Sequence, residues 1–209
     1  MYSIFGVNSE HFISVTKGPW DVVDRTHYRL DINHEEKVIH VTGRCSDYDD
    51  WPDNFDFRVK AWEPAEQWFA DKEILVHSGF LRQYKSVRNI LLDVAYEYSE
   101  YAIRVDGFSL GASWPQIFLQ DVLHRWPDRD VQAILYAPGN PWRKLPVYYQ
   151  KALERCTVFV RSVWDPVTWM RLLRFYRFGS PFNIGKWWRA LPVQHQPKQI
   201  LRALKEMGV

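Results

Sequence analysis

The chain has few cysteines and no long apolar run. Cys45 and Cys156 are the only cysteines among 209 residues, too few for a secreted disulfide framework and without the C-x-x-C spacing of a metal or redox site. We therefore expect free thiols. No stretch approaches the ~18 consecutive apolar residues of a membrane span, and residues 1–19 lack the basic and apolar segments of a signal peptide. The prediction is a soluble protein of the cytoplasm.

The chain also has little net charge. At +2 it gives no reason to expect a nucleic-acid partner. Residues 166–205 differ from the rest, because they contain no Asp or Glu but eight Lys or Arg residues. A hydrophobic fraction of 46% is sufficient for one core in a chain of this length. We therefore predict a single domain over residues 1–209.

The order of elements predicts an α/β fold. Strands are expected at residues 11–16, 28–32, 38–42, 55–61, 74–77, 102–106, 131–137 and 157–163. Helices are expected at residues 84–98, 109–126, 145–155 and 197–207. The polar turn at 33–36 indicates a hairpin, so the sheet begins with antiparallel strands. The later alternation implies a mostly parallel central sheet with helices on both faces.

One predicted strand runs directly into Gly107-Phe108-Ser109-Leu110-Gly111 and then into a helix. This arrangement is typical of a nucleophile elbow, in which the glycines leave room for a sharp turn that exposes the serine hydroxyl. The N-terminus of the helix that follows offers backbone N–H groups to an oxyanion. Ser109 is therefore the candidate nucleophile. The alternative is a tight turn in a fold without activity.

Two later residues complete a candidate triad. Asp165 follows a predicted strand, where an α/β-hydrolase holds its acid, and that fold requires the chain order Ser, Asp, His. His195 is the only histidine after Asp165, and a neutral imidazole can take the Ser109 proton and return it to the leaving group. Asp165 could instead be a helix N-cap or a turn residue before Pro166. His195 could be a surface histidine between two prolines.

Four segments together resemble one family. They are Val76-His-Ser-Gly-Phe80, which resembles V-H-x-G-F; the Ser109 elbow, which resembles G-H-S-L-G-G; residues 42–51, which resemble R-G-T-x-S-x-x-D-W; and residues 163–167, which resemble a D-P-V segment. Over residues 38–165 the chain is similar to the class 3 (fungal-type) lipases, which are α/β-hydrolases. The resemblance implies cleavage of carboxylic esters of lipids or other acyl compounds by a Ser-His-Asp triad, without a metal or organic cofactor.

The chain departs from this family at three positions. Phe108 stands where the family usually has His, Ala112 where it has a second Gly, and Arg44 where it has a Ser or Thr that faces the oxyanion. Because any residue except proline keeps its backbone N–H, we predict that the N–H groups of Arg44 and Leu110 bind the oxyanion. The hydroxyl that a Ser or Thr would supply at position 44 is lost. One such donor corresponds to about 3–4 kcal/mol of transition-state stabilisation, so we expect slower turnover by an unchanged mechanism.

Other candidate residues have simpler interpretations. His77 is expected to be a hydrogen-bonded core histidine, because the elbow chemistry already has a base. Asp47, Asp49, Asp50 and Asp53 lack the spacing, glycine and terminal glutamate of a calcium loop. We predict a solvated acidic loop there, and no metal site.

Residues 169–191 interleave aromatic and basic side chains. This composition suits a cap or an interfacial segment that faces anionic lipid, and it equally suits ordinary packing of arginine stems over aromatic rings. An alternative function from another class follows, namely a non-catalytic module that binds membranes or an anionic partner through this region. Acyl transfer or thioester hydrolysis by the same triad also remains open.

Overall fold

The computed structural model describes residues 12–14, 20–24, 26–44, 56–62, 73–162 and 174–184. The strands in these ranges are β1 (Phe12–Ser14), β2 (Asp21–Val23), β3 (Thr26–Asn33), β4 (Val38–Gly43), β5 (Val59–Ala61), β6 (Leu75–His77), β7 (Ala102–Phe108), β8 (Val131–Tyr136), β9 (Trp142–Lys144), β10 (Thr157–Ser162) and β11 (Ser180–Ile184). The helices are α1 (Ser78–Glu97), α2 (Pro115–Arg125) and α3 (Val147–Cys156), and a 3-10 turn spans Ser109–Ala112.

The main sheet has the strand order β1-β3-β4-β7-β8-β10-β11, and β2 also pairs with β3. Strands β1, β2 and β4 are antiparallel to β3. From β4 onward every pair is parallel. The predicted α/β-hydrolase class, a mostly parallel sheet with antiparallel strands at its N-terminal edge, is confirmed.

The predicted hairpin is formed by β3 and β4. Ile32 and Ile39 are opposite each other in its register, and the turn between the strands is closed by a hydrogen bond from the Glu36 N–H to Asn33 Oδ1 at 2.9 Å. Lys37 has a φ of 52°, which fits the reversal of the chain. Because β4 pairs with β7 on its other side, this hairpin delivers the end of β4 next to the elbow.

The three described helices pack on one face of the main sheet, and the predicted helices on its other face stay a prediction. Val105 of β7 is fully buried against this layer, as are Tyr84 of α1, Ile117 of α2 and Leu153 of α3. Burial of each such side chain contributes about 1.5–3 kcal/mol. The helix predicted at 197–207 lies outside the described residues. Within the described part of the chain, no helix is both long and apolar enough to cross a membrane.

A second, three-stranded antiparallel sheet has the order β5-β6-β9. Helix α1 follows β6 without a loop, although the sequence predicted a helix start at residue 84. The predicted start was wrong because Ser78 and Gly79 resemble a turn. In the structure His77 is the N-cap and accepts a hydrogen bond from the Phe80 N–H, so both residues lie in the first helical turn.

Candidate active site

Ser109 lies at the carboxyl end of β7, between β4 and β8 in the sheet. Phe108 before it is extended, with φ −128° and ψ 135°. Ser109 itself has a φ of 57°, a left-handed conformation that costs an L residue about 1–2 kcal/mol. A strained serine on a strand-to-helix turn is the geometry of a nucleophile elbow. The predicted turn is therefore present, and Ser109 is half-buried rather than enclosed.

Three glycines meet beneath this serine. A Cβ on Gly107 would lie 2.2 Å from the Gly111 carbonyl oxygen, and a Cβ on Gly111 would lie 2.0 Å from the Arg44 carbonyl oxygen. A Cβ on Gly43 would lie only 1.8 Å from the Gly111 oxygen. The elbow therefore packs backbone against backbone on the end of β4. No role for Gly43 was predicted from the sequence, although its position at the end of a hairpin strand and its match to the glycine of the R-G-T segment were available signals.

Leu110 is the second residue of the 3-10 turn that begins at Ser109. The first N–H groups of a helical turn have no partner within the turn, and Phe108 at the N-cap supplies no side-chain hydrogen bond. The Leu110 side chain is buried, with 4% of the residue exposed, so the backbone at this position is firmly held. This arrangement fits the predicted donation of the Leu110 N–H to an oxyanion.

Arg44 follows β4 at the same edge of the sheet. Its backbone N–H donates to the His27 carbonyl oxygen at 3.1 Å, and its guanidinium Nη1 lies 3.4 Å from His27 Nδ1. In this conformation the N–H extends the pairing of β4 with β3. Its role as an oxyanion donor stays a prediction, which requires the bond to His27 to break.

Asp165 and His195 lie outside the described residues, so no distance joins them to Ser109. The strands that precede them are described. Asp165 is the third residue after Ser162, the end of β10, and β11 ends at Ile184 before His195. Both strands are parallel to β8 and β7, and parallel strands end at one edge of the sheet. The chain therefore leaves β10 and β11 at the edge that holds Ser109.

A buried polar pair lies in the strands next to the elbow. His40 Nε2 is 3.5 Å from Asp106 Oδ1, and both side chains are buried. Burial is the largest cause of both shifts: it lowers the pKa of His40 and raises the pKa of Asp106, while their attraction opposes each shift. Burial also raises the pKa of Tyr136. The interior of this face thus favours neutral groups, and no local sequence pattern indicated the His40–Asp106 pair.

His77 has the structural role that its sequence context predicted. It is fully buried, its ring stacks on Phe80 with centroids 4.1 Å apart, and Phe175 lies 5.2 Å away. Its Nδ1 accepts the Phe80 N–H at 3.4 Å. These contacts fix the start of α1.

Residues 174–184, the described part of the segment 169–191, are built into the fold. Phe175 is 2% exposed, and Tyr176 exchanges two backbone hydrogen bonds with Trp142. Arg177 donates to the Pro138 carbonyl oxygen at 2.8 Å and lies over the Phe159 ring. Strand β11 then joins the main sheet beside β10. The predicted cap or interfacial role of 169–191 stays a prediction.

A metal site and the state of the cysteines were also considered from the sequence, which predicted no metal site and free thiols. Across the described ranges no group of three or more His, Cys, Asp or Glu side chains could hold a metal ion. The acidic residues 47–53 and Cys45 lie outside these ranges. Cys156 is a free thiol, and burial raises its pKa.

A strained serine on the central strand of a mostly parallel sheet defines the class of this protein, a serine-type α/β-hydrolase fold. The comparison with family descriptions matches lipase (class 3) over residues 38–175. The chain therefore belongs to the class 3 lipase family. The comparison with curated proteins gives no match.

Solved structures of fungal lipases show the same fold. The triacylglyceride lipase of Rhizomucor miehei has 19% sequence identity and a TM-score of 0.65, with 85% of this chain and 68% of that chain covered. Another structure with the same four values is described as a triacylglycerol lipase whose catalytic centre is a serine protease triad. A deletion mutant of the Rhizomucor miehei lipase with its propeptide has 19% identity and a TM-score of 0.63, with 85% of this chain covered. This chain spans 57% of the length of that protein.

Proposed function

We propose that this chain is a serine hydrolase that cleaves carboxylic esters of lipids or other acyl compounds through an acyl-enzyme on Ser109. The observation that carries the proposal is the left-handed φ of 57° at Ser109, at the end of a central parallel strand in a member of the class 3 lipase family. A strained non-glycine residue persists only where the surroundings over-determine it. The strained conformation at Ser109 has a function if it exposes the hydroxyl as a nucleophile.

The proposed reaction has two halves. Ser109 Oγ attacks the ester carbonyl carbon while His195 accepts the hydroxyl proton, and collapse of the tetrahedral intermediate expels the alcohol, which takes that proton. Water then attacks the acyl-enzyme by the same route and releases the carboxylic acid. Asp165 holds the imidazole in the required tautomer and stabilises the imidazolium. The positions of Asp165 and His195 after β10 and β11 support these roles.

The oxyanion is assigned to backbone donors. The Leu110 N–H stands at the start of the turn that carries Ser109, where a negative charge is favoured. The Arg44 N–H becomes a second donor only if its bond to His27 opens when substrate binds. If it does not open, the site lacks this backbone donor as well as the hydroxyl that a Ser or Thr would supply at position 44, and turnover should be slower still.

A fluorophosphonate probe tests the nucleophile directly. We expect the wild-type protein to be labelled at Ser109, and Ser109→Ala to lose labelling and about 10⁴-fold or more of kcat/KM on a p-nitrophenyl ester. Ser86→Ala is the matched control, because this partly buried serine of α1 also makes several hydrogen bonds. A folded wild-type protein that stays unlabelled and inactive would overturn the proposal.

The substrate class is proposed from the family and needs its own measurement. A panel of p-nitrophenyl esters of increasing acyl length, together with matched thioesters, separates lipase, esterase and thioesterase activity.

Contact with an anionic membrane through residues 169–191 and location in the cytoplasm are part of the proposal. Sedimentation with anionic liposomes across a salt series tests the contact, since electrostatic binding weakens with salt.

A further inference from the structure

A serine after the elbow connects it to the loop that follows β8. The Ser113 hydroxyl donates to the Ser109 carbonyl oxygen at 3.0 Å. The hydroxyl oxygen of Ser113 in turn accepts a hydrogen bond from the backbone N–H of Gly139 at 2.8 Å. Ser113 is 1% exposed, so water does not compete for either bond. One hydroxyl therefore joins the nucleophile's own backbone to a neighbouring loop.

Gln116 binds the carbonyl group of Gly139, the residue whose N–H binds Ser113. Its Nε2 donates to the carbonyl oxygens of Gly139 at 3.0 Å and Ala112 at 3.2 Å, and the side chain is buried. A Cβ on Gly139 would lie 2.8 Å from Ser113 Oγ and 2.9 Å from the Phe80 ring. Only glycine lets the loop approach this closely. Both backbone groups of Gly139 are thus used to orient the two side chains.

The Ser109 carbonyl and the Leu110 N–H belong to one peptide unit. That unit is planar and trans, so its C=O and N–H point in opposite directions and cannot turn independently. A hydrogen bond that fixes the oxygen also fixes the direction of the N–H. It polarises the amide as well, which strengthens the N–H as a donor.

We propose that Ser113 is a positioning residue, which aims the Leu110 N–H at the oxyanion through the shared peptide unit. The inference rests on the proposed function, in which that N–H stabilises the tetrahedral intermediate. A helical serine often donates to the carbonyl four residues earlier as a purely local habit. Here the Gly139 N–H occupies an acceptor site on the hydroxyl and so directs its proton toward the Ser109 oxygen.

The test compares Ser113→Ala and Ser113→Cys with Ser86→Ala, which removes a hydroxyl of similar hydrogen bonding from α1. For each variant, kcat and KM are measured with a p-nitrophenyl ester, together with Tm. The Ki of a trifluoromethyl ketone reports on the oxyanion site, because its serine adduct carries an oxyanion. The pH profile of kcat reports on the catalytic base.

For Ser113→Ala we expect kcat to fall about 10-fold to 50-fold, less than the ~10²–10³-fold loss of a whole donor. KM stays within twofold, the ketone Ki rises by a factor similar to the loss of kcat, and the acid limb of the pH profile does not move. Ser113→Cys retains a weak donor, so its kcat and its ketone Ki should lie between those of Ser113→Ala and the wild type. Ser86→Ala keeps kcat within twofold, whatever its Tm.

The inference is overturned if Ser113→Ala keeps its kcat, if kcat falls without a rise in ketone Ki, or if Ser86→Ala loses as much. If Ser113→Ala does not fold, Ser113→Cys is judged by the same criteria. A wild-type protein that is neither labelled nor active overturns the proposed function and this inference together. A labelled and active wild type with an unimpaired Ser113→Ala overturns this inference alone.

Discussion

The two ends of β7 are held in opposite ways. At its carboxyl end Gly107 and Gly111 pack backbone against backbone, with no side chain between them. At its amino end one long side chain joins the parts: the Arg129 guanidinium donates to the carbonyl oxygens of Ala95, Tyr98 and Tyr101. The carboxyl end therefore requires residues without a Cβ, and the amino end requires the guanidinium of Arg129.

The contacts at the amino end stabilise the fold, whereas those at the carboxyl end also set the backbone conformation of Ser109. The last carbonyls of a helix have no partners within the helix, and Arg129 satisfies two of them at the end of α1 together with one at the start of β7. Bonds from an ionised donor are about twice as strong as neutral ones. At the elbow, direct backbone contact leaves no rotamer that could relax, so Ser109 is held in a strained conformation. We therefore expect changes at the amino end to lower stability alone, and changes at the carboxyl end to lower both stability and activity.

Gly111→Ala should have the largest effect. Its Cβ would lie 2.0 Å from the Arg44 carbonyl oxygen, and backbone atoms cannot rotate away, so β4 or the elbow must move. We expect a loss of about 3 kcal/mol of unfolding free energy and of fluorophosphonate labelling, measured by urea unfolding and labelling rate. Gly43→Ala should behave likewise, and a folded Gly111→Ala protein labelled at the wild-type rate would contradict the contact.

Arg129→Met, in contrast, should lose stability but retain activity. It keeps an apolar stem but removes the donors to three carbonyls, for an expected loss of about 2–4 kcal/mol in unfolding free energy. Arg104→Met is the matched control, because Arg104 pairs with Asp130, which is 59% exposed, and such surface pairs contribute about 0–1 kcal/mol. Equal losses in the two variants, or a lower kcat in Arg129→Met well below its Tm, would break the comparison.

The smallest expected effect comes from the backbone strain at Ser109. Ser109→Gly and Ser109→Ala are both expected to be inactive, but glycine adopts a positive φ without penalty and alanine does not. Ser109→Gly should be more stable than Ser109→Ala by about 1 kcal/mol, or about 2–4 °C in Tm for a chain of this size. Calorimetry of the pair decides the question. A Ser109→Ala variant at least as stable as Ser109→Gly would mean that the left-handed turn relaxes once the hydroxyl is gone.

Local sequence signals predicted the elements that carry strong patterns. The Gly-x-Ser-x-Gly run after an alternating strand predicted the elbow, and the alternation of strands and helices predicted the parallel sheet. Short elements were missed. Strand β9 has three residues and depends on pairing with β6 and Tyr176, a contact between distant parts of the chain that no local pattern encodes.

Strand β11 was missed for a related reason. It contains Pro181, which removes a backbone donor and is tolerated only in an edge strand or its first residues, and its neighbours alternate basic and aromatic residues rather than polar and apolar ones. Asp165 was selected for the triad by its position after a strand and by the D-P-V resemblance, and His195 by chain order alone. Because both lie outside the described residues, their meeting with Ser109 stays a prediction.

The crowding around Gly111 also restricts where new specificity can arise. Residues 43, 107 and 111 admit no side chain, so a library that varies them would consist mostly of misfolded proteins. Because ligands of parallel sheets bind beside the carboxyl ends of the strands, variation in the substrates of the proposed hydrolase should be sought in the loops that leave those ends. An engineer who wishes to change the acyl preference should randomise those loops and leave the glycines fixed.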